Sequence, residues 1–340
     1  MNTEKAVQLE AALDRLPRVD LVSVRPTPLE ALPRLSAHLG GPPLYIKRDD
    51  LTGLAMGGNK TRMFEYSLAD AQAKGAQVIV AGAAVQSNYC RQLAAACARL
   101  GLELQLILRP VRDIDEQEIQ GNQLLQRLCG AQVTILPTRD HPSQQAALKA
   151  RVDELTAQGR KVYWPRRADT VDLDALAYAA AALELAHQCR QMGLEPGHLY
   201  CSALDTTQAG LALGLAYLQS PIKVRGFCPV EKQFDRCREM ADMANQGARR
   251  LGLDFTMAAK DFDNDFVGPR YGLPSPEGLE ALRLLARTEG ILLDPVYTSK
   301  AMAGLFADIE AGKLGGDKPV VFWHTGGHPA LFAYADEVLG

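Results

Sequence analysis

The chain has 340 residues, 47% of them hydrophobic and 23% charged, with a formal net charge of -3. That length buries a large core in one large or two moderate domains, and the composition is that of an ordinary folded protein. A near-neutral chain without a long basic run offers nothing to nucleic acid or an anionic membrane surface, and no apolar run approaches the ~18 residues of a membrane span.

The N-terminal segment from Met1 is amphipathic and carries acidic residues, without the apolar centre of a signal peptide, so a cytoplasmic location is expected. Next, Leu44 to Asp50 runs into Gly57-Gly58-Asn59-Lys60, which opens a helix over Thr61 to Lys74. Short apolar runs then alternate with helical spacings. Strands are predicted at Gln77–Gly82, Leu104–Leu108, Gln132–Leu136 and Lys161–Trp164, and helices at Arg91–Leu100 and Glu116–Leu128. After a long helix from Leu173 to Met192 the pattern repeats. Strands are expected at His198–Cys201, Ile222–Phe227 and Val320–His324, and helices at Gln208–Leu218, Phe234–Leu251 and Pro276–Thr288. This rhythm predicts mostly parallel sheets with helices on both faces, in two α/β domains that cross near Pro165–Asp174.

Ligands of open α/β sheets sit beyond the carboxyl ends of strands, so the loops there carry the candidates. Lys60 follows two glycines that let backbone pass close to a flat ligand, at a helix start with unpaired N–H groups. A partly desolvated amine there is a nucleophile; an exposed helical lysine is the plainer reading. Ser87 and Asn88 make a carboxylate nest or simply an N-cap. Tyr271, in a Gly- and Pro-rich loop, is a positioned phenol or a packed ring. Tyr297 and Thr298 sit at a strand-to-helix turn, where capping by Thr298 or Ser299 competes with ligand contact. His324 enters Gly326-Gly327, where backbone can approach a ring. None of the seven cysteines forms a Cys-x-x-Cys pair, and they are expected as buried small hydrophobes. The histidines are read without a metal site. Neither a dinucleotide fingerprint nor a phosphate-binding P-loop is present. A lysine behind glycines, a carboxylate nest and polar loops around a cleft suit a Schiff base to pyridoxal 5'-phosphate.

Seven ordered blocks from Pro26 to Tyr334 carry a family resemblance: Pro26-Thr27-Pro28-Leu29, Ile46-Lys47-Arg48-Asp49-Asp50, Gly57 to Arg62, Gln86-Ser87-Asn88, Tyr271-Gly272-Leu273-Pro274, Leu293 to Tyr297 and His324 to Gly327. The chain resembles the D-cysteine desulfhydrase and aminocyclopropanecarboxylate deaminase family of pyridoxal-phosphate enzymes, including its cysteate sulfo-lyases, in the tryptophan-synthase-β-like fold. That resemblance implies two three-layer α/β domains, the smaller over residues 56–172 and the larger over 1–55 and 173–340, with the site between them. It implies Lys60 as the Schiff-base lysine, Ser87 and Asn88 as the substrate-carboxylate loop, and Tyr271 and Tyr297 as active-site phenols, Tyr297 lying against the cofactor ring. Asn59, Asn88, Thr298, Thr325 and the loop Ala203-Leu204-Asp205-Thr206-Thr207 fall at cofactor positions, and Tyr89, Arg167 and Gly326 at substrate positions. Deaminases of the family carry Glu after the residue matching Tyr297 and Leu before the glycine pair. Thr298 and Thr325 are the desulfhydrase-like choice. The implied reaction is a β-elimination on a small amino acid, giving a keto acid and ammonia, in a homodimer.

The chain departs from that family at three places. Asp205 stands in the phosphate loop where small residues are usual, and a carboxylate within ~4 Å of a phosphate is repelled by several kcal/mol. Met63 replaces a lysine that reaches the phosphate in relatives. Pro165-Arg166-Arg167-Ala168-Asp169-Thr170 replaces a small-residue loop beside the substrate. Its arginines serve either the phosphate or an acidic substrate group, or form a solvated basic turn. These changes also admit a different pyridoxal-phosphate reaction, such as deamination, racemisation or a biosynthetic replacement, or a non-catalytic binding protein.

Overall fold

A computed structural model describes residues 1–113, 117–230, 235–314 and 316–340 of the chain. Helix α1 (Thr3–Asp14) is capped by the Asn2 side chain on the Lys5 amide. An antiparallel pair follows, β1 (Leu29–Ala31) and β2 (Leu44–Arg48), with α2 (Pro33–Leu39) between them. Helix α3 (Lys60–Ala73) begins on Lys60 itself. Then come β3 (Val78–Ala81), α4 (Asn88–Leu100), β4 (Glu103–Leu108), α5 (Gly121–Leu128), β5 (Gln132–Ile135), α6 (His141–Ala157) and β6 (Val162–Tyr163). The second half runs α7 (Val171–Met192), β7 (His198–Ser202), α8 (Thr206–Tyr217), β8 (Lys223–Cys228), α9 (Arg236–Leu251), β9 (Asp263–Phe266), α10 (Pro276–Glu289), α11 (Thr298–Glu310), β10 (Val320–His324) and α12 (Ala335–Leu339). Of the expected helix Glu116–Leu128, Glu116 lies outside the described residues, as does Phe234 of the expected helix Phe234–Leu251.

The strands form two sheets, β5-β4-β3-β6 and β1-β2-β10-β7-β8-β9, parallel throughout except between β1 and β2. This is the expected α/β class. Both sheets are covered on both faces, which is why their central strands read as unbroken apolar runs. In β3, Ile79 and Ala81 face the core shared with α3, α4 and α7, while Val78 and Val80 face α6. In β10, Val321 and Trp323 join that shared core, and Val320 and Phe322 pack toward α10 and α11.

Among the elements outside the expectation, two have a thin apolar signal. Helix α6 buries only Gln144, Leu148 and Leu155. Strand β9 begins Asp263-Asn264-Asp265 and pairs as an edge strand on β8. There Arg225 answers its charges, with Nη1 2.5 Å from Asp263 and Nη2 2.9 Å from Asp265.

One buried polar cluster joins the parts that carry Lys60. The Arg62 guanidinium in α3 bonds Asp49 at 2.8 and 2.9 Å, Glu184 of α7 at 2.9 and 3.1 Å, and the Thr27 hydroxyl at 3.0 Å. Lys47 of β2 reaches Glu184 at 2.5 Å, and Trp323 of β10 donates to Asp49 at 3.0 Å. Two cations thus meet two carboxylates, and removing one leaves an uncompensated buried charge. Arg62→Met is expected to cost about 3–5 kcal/mol in a denaturant titration. Glu184, largely desolvated but held down to about 2 by Arg62 and Lys47 against an ordinary value of 4.5, adds a pH signature. Its folded value is depressed, so its stabilisation is complete above pH 4.5 and is lost as pH falls toward 2. Acid titrations of unfolding midpoint should show this loss in the wild type and a flatter profile in Glu184→Gln.

Candidate active site

Lys60 is positioned by two glycine pairs that cross. Gly57 has φ +69°, and a Cβ there would lie 1.8 Å from the Asp50 carbonyl oxygen. Gly326, at φ +90°, passes so close to Gly58 that its Cβ would sit 2.7 Å from the Gly58 Cα. The Asn59 amide donates to the Thr325 carbonyl at 3.0 Å and locks the crossing. These glycines therefore serve first to let two backbones meet, and the expectation that they make room for a flat ring is secondary. The crossing brings Thr325 and Gly326 against the start of α3.

Lys60, Ser87, Tyr89, Leu204, Tyr271 and Tyr297 open onto one cavity of about 320 Å³. They come from loops far apart in sequence. The half-buried Lys60 amine lies 3.1 Å from Asn59 Oδ1, and burial, helped by the nearby Arg166 charge, pushes its pKa down to about 8. The hydroxyls of Tyr271 and Tyr297 are 2.6 Å apart, and burial pushes both phenols up, so each keeps its proton. One donates to the other, which leaves one phenolic proton to give. The Tyr334 hydroxyl, donating to Gly272 O at 2.7 Å, fixes the loop that carries Tyr271.

Ser87 is the N-cap of α4, its Oγ accepting from the Cys90 amide at 3.2 Å. That bond uses a lone pair and leaves the hydroxyl proton free, so capping and ligand contact are compatible. The Asn88 Oδ1 accepts from Asn122 Nδ2 at 2.8 Å, and Asn122 Oδ1 in turn accepts from the buried Arg91 at 2.8 Å. The Asn88 amide is thereby oriented with its NH₂ left to donate. Sequence reasoning passed over Asn122, whose only signal is a lone polar residue at a helix start.

At the other end of the cavity, Ala203 and Leu204 lead to Asp205, which caps α8. Its carboxylate accepts from the Thr206 amide at 2.5 Å and pairs with Arg166 Nη2 at 2.5 Å. The Asn59 amide nitrogen donates to the Thr207 hydroxyl at 3.3 Å, tying this loop to the Lys60 turn. Arg166 takes φ +63°, and the chain reverses there. In consequence Arg166 faces the cavity, and Arg167 does not: its guanidinium lies 4.4 Å from the Trp164 ring centroid on the exposed side. Of the two arginines expected near the substrate, Arg166 is the one that lines the cavity. Met63, one turn into α3, is buried in the apolar core and supplies nothing to this end. Arg166 also approaches the buried Asp174, whose pKa burial raises to about 7.

Thr298 is buried at the start of α11, and its hydroxyl donates to Asp294 Oδ1 at 2.7 Å. The same carboxylate accepts from the amides of Val296, Tyr297 and Thr298 at 2.8 to 3.0 Å. The hydroxyl also accepts from the Asp294 amide at 2.8 Å, so with its proton committed it retains one lone pair. His324 and His328, four residues apart, converge with Asp50 within 4.8 Å, a cluster the sequence reading lacks. His324 bonds Leu292 O through Nε2 at 2.8 Å and accepts from the Gly326 amide through Nδ1 at 3.2 Å, while Arg48 holds Asp50. With both ring nitrogens used, this group braces the glycine crossing.

The donor set fits a flat ring with an aldehyde at one end and a phosphate at the other. An amine stands at Lys60, an amide at Asn88, a lone pair at Thr298, and a helix N-terminus with a guanidinium at α8 and Arg166. Asp205 is the one discordant group. The family model described as pyridoxal-phosphate dependent enzyme matches residues 21–326. The chain belongs to that family and takes its cofactor. It is 40% identical over 328 residues, 96% of its length, to the D-cysteine desulfhydrases of Salmonella newport (strain SL254) and Salmonella agona (strain SL483), covering 98% of each. The crystal structure of an ACC deaminase homologue superposes with a TM-score of 0.88 at 32% identity, covering 98% of both chains. Diaminopropionate ammonia lyase of Escherichia coli shares the fold, with a TM-score of 0.65 at 17% identity, covering 99% of this chain and 91% of that one.

A lowered pKa together with its opening onto the cavity sets Lys60 apart as a reactive amine. Added pyridoxal phosphate followed by borohydride should label the Lys60 peptide, with a rate that rises with pH through about 8 as the amine loses its proton. Peptide mass spectrometry checks this. Lys300, which burial also lowers to about 8, lies outside the cavity and should stay unlabelled.

Proposed function

We propose that the chain is a pyridoxal-phosphate dependent lyase that removes the β-substituent of D-cysteine or a closely related small amino acid. With D-cysteine and water the products are pyruvate, ammonia and hydrogen sulfide. Cysteate, with sulfite as the leaving group, is the next substrate to test. The observation that carries the reading is the convergence of the Lys60 amine, the Ser87–Asn88 helix start and the tyrosine pair on one cavity. The 40% identity to D-cysteine desulfhydrases over nearly the whole chain supports the leaving group.

When bound, the cofactor supplies an electron sink for the substrate's α-carbon. Ser87 donates its free hydroxyl proton, and the first amides of α4 add theirs, to the substrate carboxylate. Tyr89 borders that position as a buried, protonated phenol. Lys60 acts as the base that takes the α-proton, since an amine titrating near 8 is partly free at neutral pH. The Tyr271–Tyr297 pair delivers its spare proton to the departing sulfur, and each transfer is replenished across the 2.6 Å bond. Asn88 would offer its NH₂ to an acceptor on the ring, and Thr298 would offer a lone pair to a group that brings its own proton. That is a weaker hold than a carboxylate gives, and it suits β-elimination more than ring opening. Asn59 and Thr325 frame the turn, and Gly326, packed against Gly58, is assigned to the substrate side only through its backbone.

We assign the smaller domain to residues 56–172 and the larger to 1–55 with 173–340, the cavity lying between them. No helix among the described residues is long and apolar enough to cross a membrane. A cytoplasmic homodimer is the proposed working form, to be checked by size-exclusion chromatography with light scattering.

Sulfide and pyruvate release should be seen with D-cysteine and be far smaller with L-cysteine and aminocyclopropanecarboxylate. Lys60→Ala should abolish it. Tyr297→Phe should lower kcat by about 10²-fold or more with KM little changed, as for loss of a general acid. Turnover of aminocyclopropanecarboxylate above D-cysteine would reverse the substrate assignment.

A further inference from the structure

The geometry points to Asp205 as a surrogate for the cofactor phosphate: its carboxylate holds the α8 N-terminus and Arg166 until a phosphate takes over both partners. This rests on the proposed cofactor chemistry and concerns only its phosphate end.

The Asp205 side chain makes the two contacts a phosphate would seek there. It accepts from the first helical amide, Thr206 N, at 2.5 Å, and pairs with Arg166 Nη2 at 2.5 Å. The site is tied to Lys60 by the bond from Asn59 to Thr207 at 3.3 Å, and Leu204 and Arg166 share the Lys60 cavity. A second, independent feature sits behind Arg166. Asp174 is 2% exposed, its Oδ2 has no hydrogen-bond partner, and that oxygen lies 3.8 Å from Arg166 Nε. Arg166 therefore stands between an occupied carboxylate and an unsatisfied one. When a phosphate takes the α8 amides and the Nη2 side of Arg166, Asp205 must withdraw, and Asp174 remains 3.8 Å from the Nε side.

The consequence is competition inside one chain. An incoming phosphate dianion carries more charge than the carboxylate it displaces and gains the same helix end and guanidinium. It must first remove an anion already seated, so the chain holds its cofactor exchangeably. A small uncharged residue at 205 would leave the helix end free and the cofactor tight.

The test separates the phosphate end from the ring end by using pyridoxal, which lacks the phosphate, beside pyridoxal phosphate. Both are titrated into cofactor-free wild type, Asp205→Ser, Asp205→Asn and Arg166→Gln, reading tryptophan fluorescence. Serine keeps a capping oxygen and asparagine keeps the shape, and far-ultraviolet circular dichroism verifies the fold of each variant. Both Asp205 variants should bind pyridoxal phosphate about tenfold tighter or more, with pyridoxal unchanged. Arg166→Gln should weaken pyridoxal phosphate alone. Equal shifts for the two ligands, or weaker pyridoxal phosphate binding in both Asp205 variants, would overturn the surrogate role. Wild type that binds neither ligand while Asp205→Ser binds pyridoxal phosphate supports it. If no form binds either ligand, the cofactor reading fails with it.

Discussion

The Arg62 guanidinium is the constraint on which the rest of the molecule depends. It sits two residues past Lys60 and is bonded to a turn after β2, to helix α7 and to the Thr27 hydroxyl. Asp49, its partner, also receives the Trp323 indole from β10. The helix that presents the reactive amine is thus fixed to the large sheet and to helix α7 by largely buried, charge-assisted bonds. Apolar packing alone would leave α3 free to slide by a fraction of a turn. A planar fork with several partners does not allow that.

The same logic recurs at smaller scale around the cavity. Asp294 gathers three amides and a hydroxyl to set the start of α11, and so places Tyr297. Arg91 and Asn122 orient Asn88. His324 and Asp50 steady the glycine crossing. Tyr297, Asn88 and Gly326 are each set by a polar residue behind them, Asp294, Asn122 and His324. This division lets the cavity keep an amine, a hydroxyl and two phenols in set orientations without any of them being consumed by the scaffold.

Much of this was legible in the residues. The central strands announce themselves as short apolar runs because both their faces are covered, and Lys60 is marked by its glycines. Resemblance to a known family supplied most of the site, since separate loops converge only in three dimensions. What stayed illegible was polar. Strand β9 has almost no apolar signal because an arginine on the next strand stabilises it. Helix α6 shows a thin seam. The choice between Arg166 and Arg167 turns on one left-handed residue, which no pattern of charges encodes. The supporting residues Asn122 and Asp174 carry no motif, because their role exists only through what they touch.

The edge strand β9 bears on how copies of the chain can meet. Its side chains Asp263 and Asp265 are more than half exposed, on the last strand of the six-stranded sheet. An identical strand laid alongside would bring four carboxylates together, and the single arginine on each side is already engaged. Sheet-to-sheet extension through this edge is therefore electrostatically closed, and a growing fibre finds no template there.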